Sequence, residues 1–262
     1  MSLISPELPN VSLVAFYGPK PLELSNLIRQ LQQQLLEQFP QQFQPYPLEQ
    51  IHATLIGCEG FKIHLGIVSQ WFHKHRHQVK FIDLAGFLDY LFHSPQFPFL
   101  VKIGGYWPGE NYSFLSQGQG LFERSLQISN NMAVLIGWPV QTGIVQTLDQ
   151  FRREAQAYNL LHKYHSQPDR VDNDCYLRLG WFTQKPAQTP RLEPLDSGIH
   201  PGVHRMREYL ATSPPLYLTI DRTDLAFVGY QDFALSPETT QVMSLATATV
   251  EQLEALYPKV SN

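Results

Sequence analysis

The chain is short of cysteine, of charge and of long apolar runs, and each shortage removes a class of protein. Only two cysteines, Cys58 and Cys175, occur in 262 residues. That is too few for a disulfide framework, and both read as small apolar strand residues of a reducing compartment. Charged residues make up 16% of the chain, with a net charge of −4 and a pI near 6.2. This balance argues against an extended nucleic-acid footprint, while a single nucleotide or a short RNA end stays within reach. No apolar stretch approaches the roughly 20 residues that span a bilayer. The N-terminus also lacks a basic region followed by a hydrophobic one. The expectation is therefore a cytoplasmic protein with no membrane contact.

What is present fits a packed fold, since 43% of residues are hydrophobic and 12% aromatic. Proline is plentiful at 20 residues and clusters in expected loops such as 40–47, 95–98 and 186–194. Hydrophobic segments resume within about ten residues of each cluster, as they do around connections and not around linkers. Residues 1–262 are thus expected to form one two-lobed unit. The glutamines of 30–44 fall on the polar side of a helix and in the loop after it, and receive no function.

The richest stretch is Ile51-His52-Ala53-Thr54-Leu55-Ile56-Gly57. Strand side chains alternate faces, so His52 and Thr54 share one face while Ile51, Ala53 and Leu55 share the other. A core can take the second face. The first then offers an imidazole able to move a proton near neutral pH, beside a hydrogen-bonding hydroxyl. By itself the pattern also fits a buried strand with one satisfied histidine.

A second stretch, Cys175-Tyr176-Leu177-Arg178-Leu179-Gly180, repeats the alternation. Upstream of His52 lie an apolar strand, Val11–Tyr17, and a helical pattern from Leu22 to Phe39 with apolar positions Leu24, Leu27, Ile28, Leu31 and Leu35. Upstream of Tyr176 lie Met132–Trp138 and a helical pattern from Leu148 to Leu161, with Phe151, Ala155 and Tyr158 on its apolar side. Tyr17 precedes His52 by 35 residues and Trp138 precedes Tyr176 by 38. One strand-helix-strand plan is written twice.

A duplicated plan around a His-x-Thr strand resembles the 2H phosphoesterase superfamily, which includes 2′,3′-cyclic phosphodiesterases and RNA 2′,5′-ligase-like proteins. The resemblance runs over about residues 10 to 235 and takes in Pro215–Val228 as a late strand. It implies an α+β fold of two pseudo-twofold lobes, with antiparallel sheets lining a central cleft and helices outside. Carried over, His52 matches the first catalytic histidine and Thr54 the first phosphate-binding hydroxyl. The second motif departs from the pattern, with Tyr176 in place of histidine and Arg178 in place of Thr or Ser. A phenol near pKa 10 suits neutral-pH proton transfer less well than imidazole near 6.5. A guanidinium, by contrast, holds phosphate better than a hydroxyl does. The implied ligand is a 2′,3′-cyclic phosphodiester or related nucleotide or RNA-end phosphate, with no cofactor and no metal. The alternatives are a phosphate- or nucleotide-binding module without turnover, and a partner-binding protein with a vestigial cleft. Oligomeric state is not legible.

Other features carry narrower expectations. Lys80–Ala85 and Phe97–Ile103 read as strands, Gly104-Gly105 as a turn, and Trp107–Gly120 as a long loop that could cover the cleft. His73, His75 and His77 alternate with Lys74 and Arg76, a basic patch unsuited to a cation. His200 and His204 have ligand spacing, but Pro201 makes His200 a helix flank. Of His162 and His165, which precede the second motif, His165 is the one expected to stand in if any histidine replaces the missing one.

Overall fold

The computed structural model describes residues 10–183 and 200–259, so the proline cluster at 186–194 lies outside the described residues. In chain order the elements are β1 (Asn10–Ala15), α1 (Leu22–Gln38), β2 (Phe43–Pro45), β3 (Ala53–Gly57), β4 (Gly60–Ile63), β5 (Gly66–Ser69), α2 (Gln70–Arg76), α3 (Leu84–His93) and β6 (Phe99–Ile103). There follow α4 (Leu121–Ser125), β7 (Leu126–Ser129), β8 (Met132–Val140), α5 (Thr147–Glu154), β9 (Cys175–Phe182), α6 (Pro201–Thr212), β10 (Leu216–Ile220), β11 (Leu225–Tyr230), β12 (Thr240–Ser244) and α7 (Val250–Ala255).

The main sheet runs β10-β6-β8-β9-β3-β1-β11-β12, and its pairings are antiparallel. The order is the same plan read outward from the β9–β3 seam in both directions. On one side β3 is followed by β1, β11 and β12; on the other β9 is followed by β8, β6 and β10. This is the α+β, two-lobed arrangement expected from the sequence. The two strand-helix-strand units, β1-α1-β3 and β8-α5-β9, supply the inner strands of the two lobes.

Alternation along the inner strands decides where the core sits. Leu13, Ala15, Ile51, Ala53, Leu55, Leu135, Leu177 and Leu179 are buried on one face, in a single cluster with Leu24, Ile28, Leu31 and Leu35 of α1 and with Leu148 and Phe151 of α5. The apolar stripe of each helix thus covers the sheet, as its 3.6-residue period requires. The opposite face carries two smaller clusters, Val14 with Val228, Tyr230 and Leu235 in the first lobe, and Val134 with Ile136, Trp138, Tyr106 and Leu121 in the second.

Three sequence expectations are corrected. Lys80–Ala85 is not a strand: Phe81 makes only an isolated bridge with Val68, and Asp83 caps α3, its carboxylate accepting from Gly86 N at 2.9 Å. Asparagine and aspartate at that position satisfy an orphan helix-end N–H, which outweighs the strand preference of Phe81-Ile82. Pro215–Val228 is not one strand. It breaks at Asp221–Asp224, whose side chains form a capping box, so β10 joins the second lobe and β11 the first. The second helical pattern also stops early, α5 giving way at Ala155 to a 3₁₀ turn that ends on left-handed Asn159 (φ 60°). Gly104 and Gly105 (φ 77° and 65°) form the expected turn. His200 is the flank expected of it, its Nδ1 accepting from Gly202 N at 3.1 Å with Pro201 opening α6.

Candidate active site

The seam between the lobes is held by one register pair, Ala53 with Leu177. In an antiparallel pair the residues flanking such a bridge face each other, with side chains on the face opposite to the bridging residues. His52 therefore stands across from Arg178, and Thr54 across from Tyr176. All four line one cavity of about 430 Å³. The four residues expected from the sequence to form the site are brought together.

His52 sits just before β3 and is 8% exposed. Its Nδ1 lies 2.7 Å from the carbonyl oxygen of Gln50. A carbonyl only accepts, so Nδ1 carries the hydrogen and Nε2 keeps its lone pair. Burial, reinforced by the positive charges of Arg178 and Lys20, lowers the imidazole pKa to about 4. At neutral pH His52 is an uncharged proton acceptor. Tyr176 packs against the apolar cluster of the second lobe, and burial raises its pKa, so the phenol keeps its proton. Arg178 is anchored by an Nη1 hydrogen bond to Phe233 O at 2.8 Å.

Beneath the seam lies Arg152 of α5, 3% exposed, which sequence reasoning did not single out. Its Nε donates to Leu55 O at 2.7 Å and Nη2 to Thr54 O at 3.1 Å, both in the first lobe. In the second lobe Nη2 also donates to Asp174 O at 3.2 Å and Nη1 to Asp172 O at 2.8 Å. One guanidinium thus satisfies carbonyls from both inner strands or their approaches. The Asp174 carboxylate accepts from Ser116 Oγ at 2.6 Å, Trp138 Nε1 at 2.7 Å and Arg124 Nη2 at 2.6 Å. Through Ser116 the long 107–120 loop is fastened to the cavity wall, and Gln117 lines the cavity.

At the other end of the cavity the Glu59 carboxylate accepts from Trp71 Nε1 at 2.7 Å, and burial raises its pKa. Lys74 and Lys163 lie 5.3 and 5.7 Å from the Trp71 ring centroid. Among the described residues no group of three or more His, Cys, Asp or Glu is placed to hold a metal ion, and no helix is long and apolar enough to cross a membrane. Cys58 and Cys175 are free and buried.

The expectation for His165 is corrected. Its side chain is fully buried, with Nε2 2.9 Å from Asp149 Oδ1, and that carboxylate also accepts from the Asp172 N–H at 2.7 Å. It is fixed behind the wall, while His162, three residues earlier, lines the cavity.

No family model matches the chain, and no curated protein matches it. Solved structures that align with most of it include the following three. One, TT0787 of Thermus thermophilus, is 14% identical with a TM-score of 0.40, over 90% of this chain and 97% of that one. E. coli LigT complexed with 3′-AMP is 13% identical with a TM-score of 0.35, over 90% and 93%. A phosphoesterase is 12% identical with a TM-score of 0.36, over 90% and 95%. These likenesses are distant, and the chemistry of the cavity rests on its own side chains.

The sequence signals for the missed residues were weak for physical reasons. Arg152, Asp172 and Asp174 act through backbone carbonyls or through partners far away in the chain, and no short spacing marks them. Trp71 and Lys74 share α2 with His73 and His75, where the alternation of charge dominates the pattern.

Proposed function

We propose that the cavity is a 2H-type phosphoester site that takes a 2′,3′-cyclic phosphodiester or a related nucleotide or RNA-end phosphate. The observation that carries this reading is the facing of His52 with Arg178 and of Thr54 with Tyr176 across the seam. A neutral imidazole lone pair, a guanidinium, a hydroxyl and a protonated phenol then surround one point. Arg178 and Thr54 hold the phosphoryl oxygens, the first by charge and the second by an O–H donor. His52 Nε2 removes the proton from attacking water, and Tyr176 is the motif's own proton carrier for the leaving oxygen. The positive charges of Arg178, Arg124, Lys74 and Lys163 around the cavity favour an anionic ligand.

A second reading, phosphate binding without turnover, is favoured by one observation: burial raises the pKa of Tyr176, which makes it a weak acid. Hydrolysis assays across the four 2′,3′-cyclic nucleotides separate the two. Turnover that disappears in His52→Ala supports the enzyme. Calorimetric binding of a nucleoside monophosphate with no turnover of any cyclic nucleotide supports the binding module, and absence of both sinks the phosphate reading.

A further inference from the structure

We infer that His162, paired with Asp172, is the proton donor to the leaving oxygen in this cavity. The inference rests on the phosphoester reading above and reassigns to His162 the leaving-group proton that the reading gave to Tyr176. His162 lies in the connection between α5 and β9, is 5% exposed and lines the same cavity as His52, Thr54, Tyr176 and Arg178. Its Nε2 is 2.8 Å from Asp172 Oδ2. Asp172 is held ionised, well below the usual carboxylate range, by the Arg152 guanidinium and by its hydrogen bond from His162. The carboxylate can only accept, so Nε2 carries the hydrogen.

The other ring nitrogen, Nδ1, is buried and has no hydrogen-bond partner among the described residues. A buried polar nitrogen without a partner is uncommon in a folded protein, and orphans of this kind mark positions that a ligand can complete. His165 has a similar orphan nitrogen, but it does not line the cavity.

The location is fixed by the arginine under the seam. Arg152 Nη1 is 3.5 Å from Asp172 Oδ2, while its Nη2 bonds Thr54 O and Asp174 O. The dyad is therefore tied to the backbone at the Thr54 and Tyr176 end of the site, away from the His52 and Arg178 end. Two imidazoles thus line the cavity, His52 on the Arg178 side and His162 near the Thr54 backbone, each with one nitrogen fixed by the protein.

The groups facing His162 decide its charge. Burial, Arg152 and His165 disfavour imidazolium, Asp172 favours it, and the balance lowers its pKa to about 4. The Tyr164 ring lies 5.6 Å away. A bound phosphoryl anion adds a second negative neighbour and favours protonation of Nδ1. In the step itself, His52 Nε2 takes a proton from water as the new P–O bond forms. The P–O bond to the ribose oxygen breaks, and that oxygen takes the proton from His162 Nδ1. His52 is left protonated and His162 neutral, and exchange with solvent resets both. The Tyr176 hydroxyl then serves as a hydrogen-bond donor to the phosphoryl group.

The experiment compares the full chain with His162→Asn, Asp172→Asn and His52→Ala on 2′,3′-cyclic AMP and on bis(4-nitrophenyl) phosphate, whose leaving group needs little protonation. His162→Asn is expected to lose about 10²–10³-fold in kcat on the cyclic nucleotide, to lose much less on the nitrophenyl ester, and to abolish the fall of kcat toward alkaline pH. His52→Ala is expected to lose activity on both. If His162→Asn stays within about threefold of the parent on the cyclic nucleotide while His52→Ala is inactive, the inference fails and the phosphoester reading stands. Equal losses on both esters also overturn it, pointing to a structural role. If neither the parent nor any variant turns over, nitrogen NMR of ¹⁵N-histidine-labelled parent decides. On saturation with 3′-AMP, His162 Nδ1 is expected to move from an unprotonated to a hydrogen-bonded or protonated signal, and an unmoved signal with 3′-AMP bound refutes the assignment.

Discussion

His52 Nδ1 gives its hydrogen to the carbonyl of Gln50, 2.7 Å away and two residues earlier in the chain. The bond is local, so the tautomer is set before the lobes meet. It leaves Nε2 as the base whatever occupies the cavity. His52→Ala should lower hydrolysis of a 2′,3′-cyclic nucleotide by about two to four decades. Steady-state kinetics with the melting temperature recorded alongside checks this, and an unchanged rate would remove His52 from the chemistry.

Acid should destabilise the fold before its carboxylates titrate. His52 and His162 are both lowered to about 4 from 6.5, so between those values the unfolded chain binds more protons than the folded one. The stabilisation is complete above pH 6.5 and drains away as pH falls toward 4, by up to about 3 kcal/mol for each histidine. Urea titrations at pH 7.5 and 4.5 measure it. His162→Asn should show a visibly shallower loss over that window, and a slope equal to the parent's would contradict the burial of a neutral imidazole there.

Arg178→Ala should weaken binding of phosphate or a nucleoside monophosphate by around ten- to a hundredfold, since a hydrogen bond to a charged group contributes about 1.5–3 kcal/mol. Isothermal calorimetry on both proteins is the measurement. Equal affinity would exclude Arg178 as a ligand contact and leave it with its structural bond to Phe233.

Arg152→Met should be among the most damaging single changes in the molecule. It leaves Asp172 without its buried cation and deprives the carbonyls of Thr54, Leu55, Asp172 and Asp174 of a donor. Breaking one side of a buried ion pair costs about 3–5 kcal/mol. Denaturant unfolding will register it as a shifted midpoint, and a cost under about 1 kcal/mol would show that the lobes dock without this arginine.

The strands and helices around His52 and Tyr176 were legible because their patterns are local: period two in β3 and β9, period 3.6 in α1. The placement of the four motif positions around one cavity followed from the same alternation. What escaped was non-local. α3 carries its apolar side at Leu84, Phe87, Leu88 and Leu91, a helical spacing that the strand-like Phe81-Ile82 in front of it obscured. The choice between His162 and His165 depends on which carboxylate each reaches, Asp172 ahead or Asp149 behind, and nothing in their shared loop announces that difference.

The strand order has a consequence for synthesis. The first lobe is built from both ends of the described chain, β1 and β3 early and β11 and β12 late, with the second lobe threaded between them. Until residues 225–230 leave the ribosome, the outer edge of β1 has no partner, because Asn10 through Ala15 pair there only with Tyr230 through Leu225. The half of the cavity that carries His52 therefore spends most of translation as an open β-edge, a surface prone to wrong pairing. The half that carries Tyr176 and Arg178 can pair β8 with β9 once residues 132–182 have emerged. Ribosome-bound chains arrested just before and just after β11 should differ sharply in protease resistance at β1.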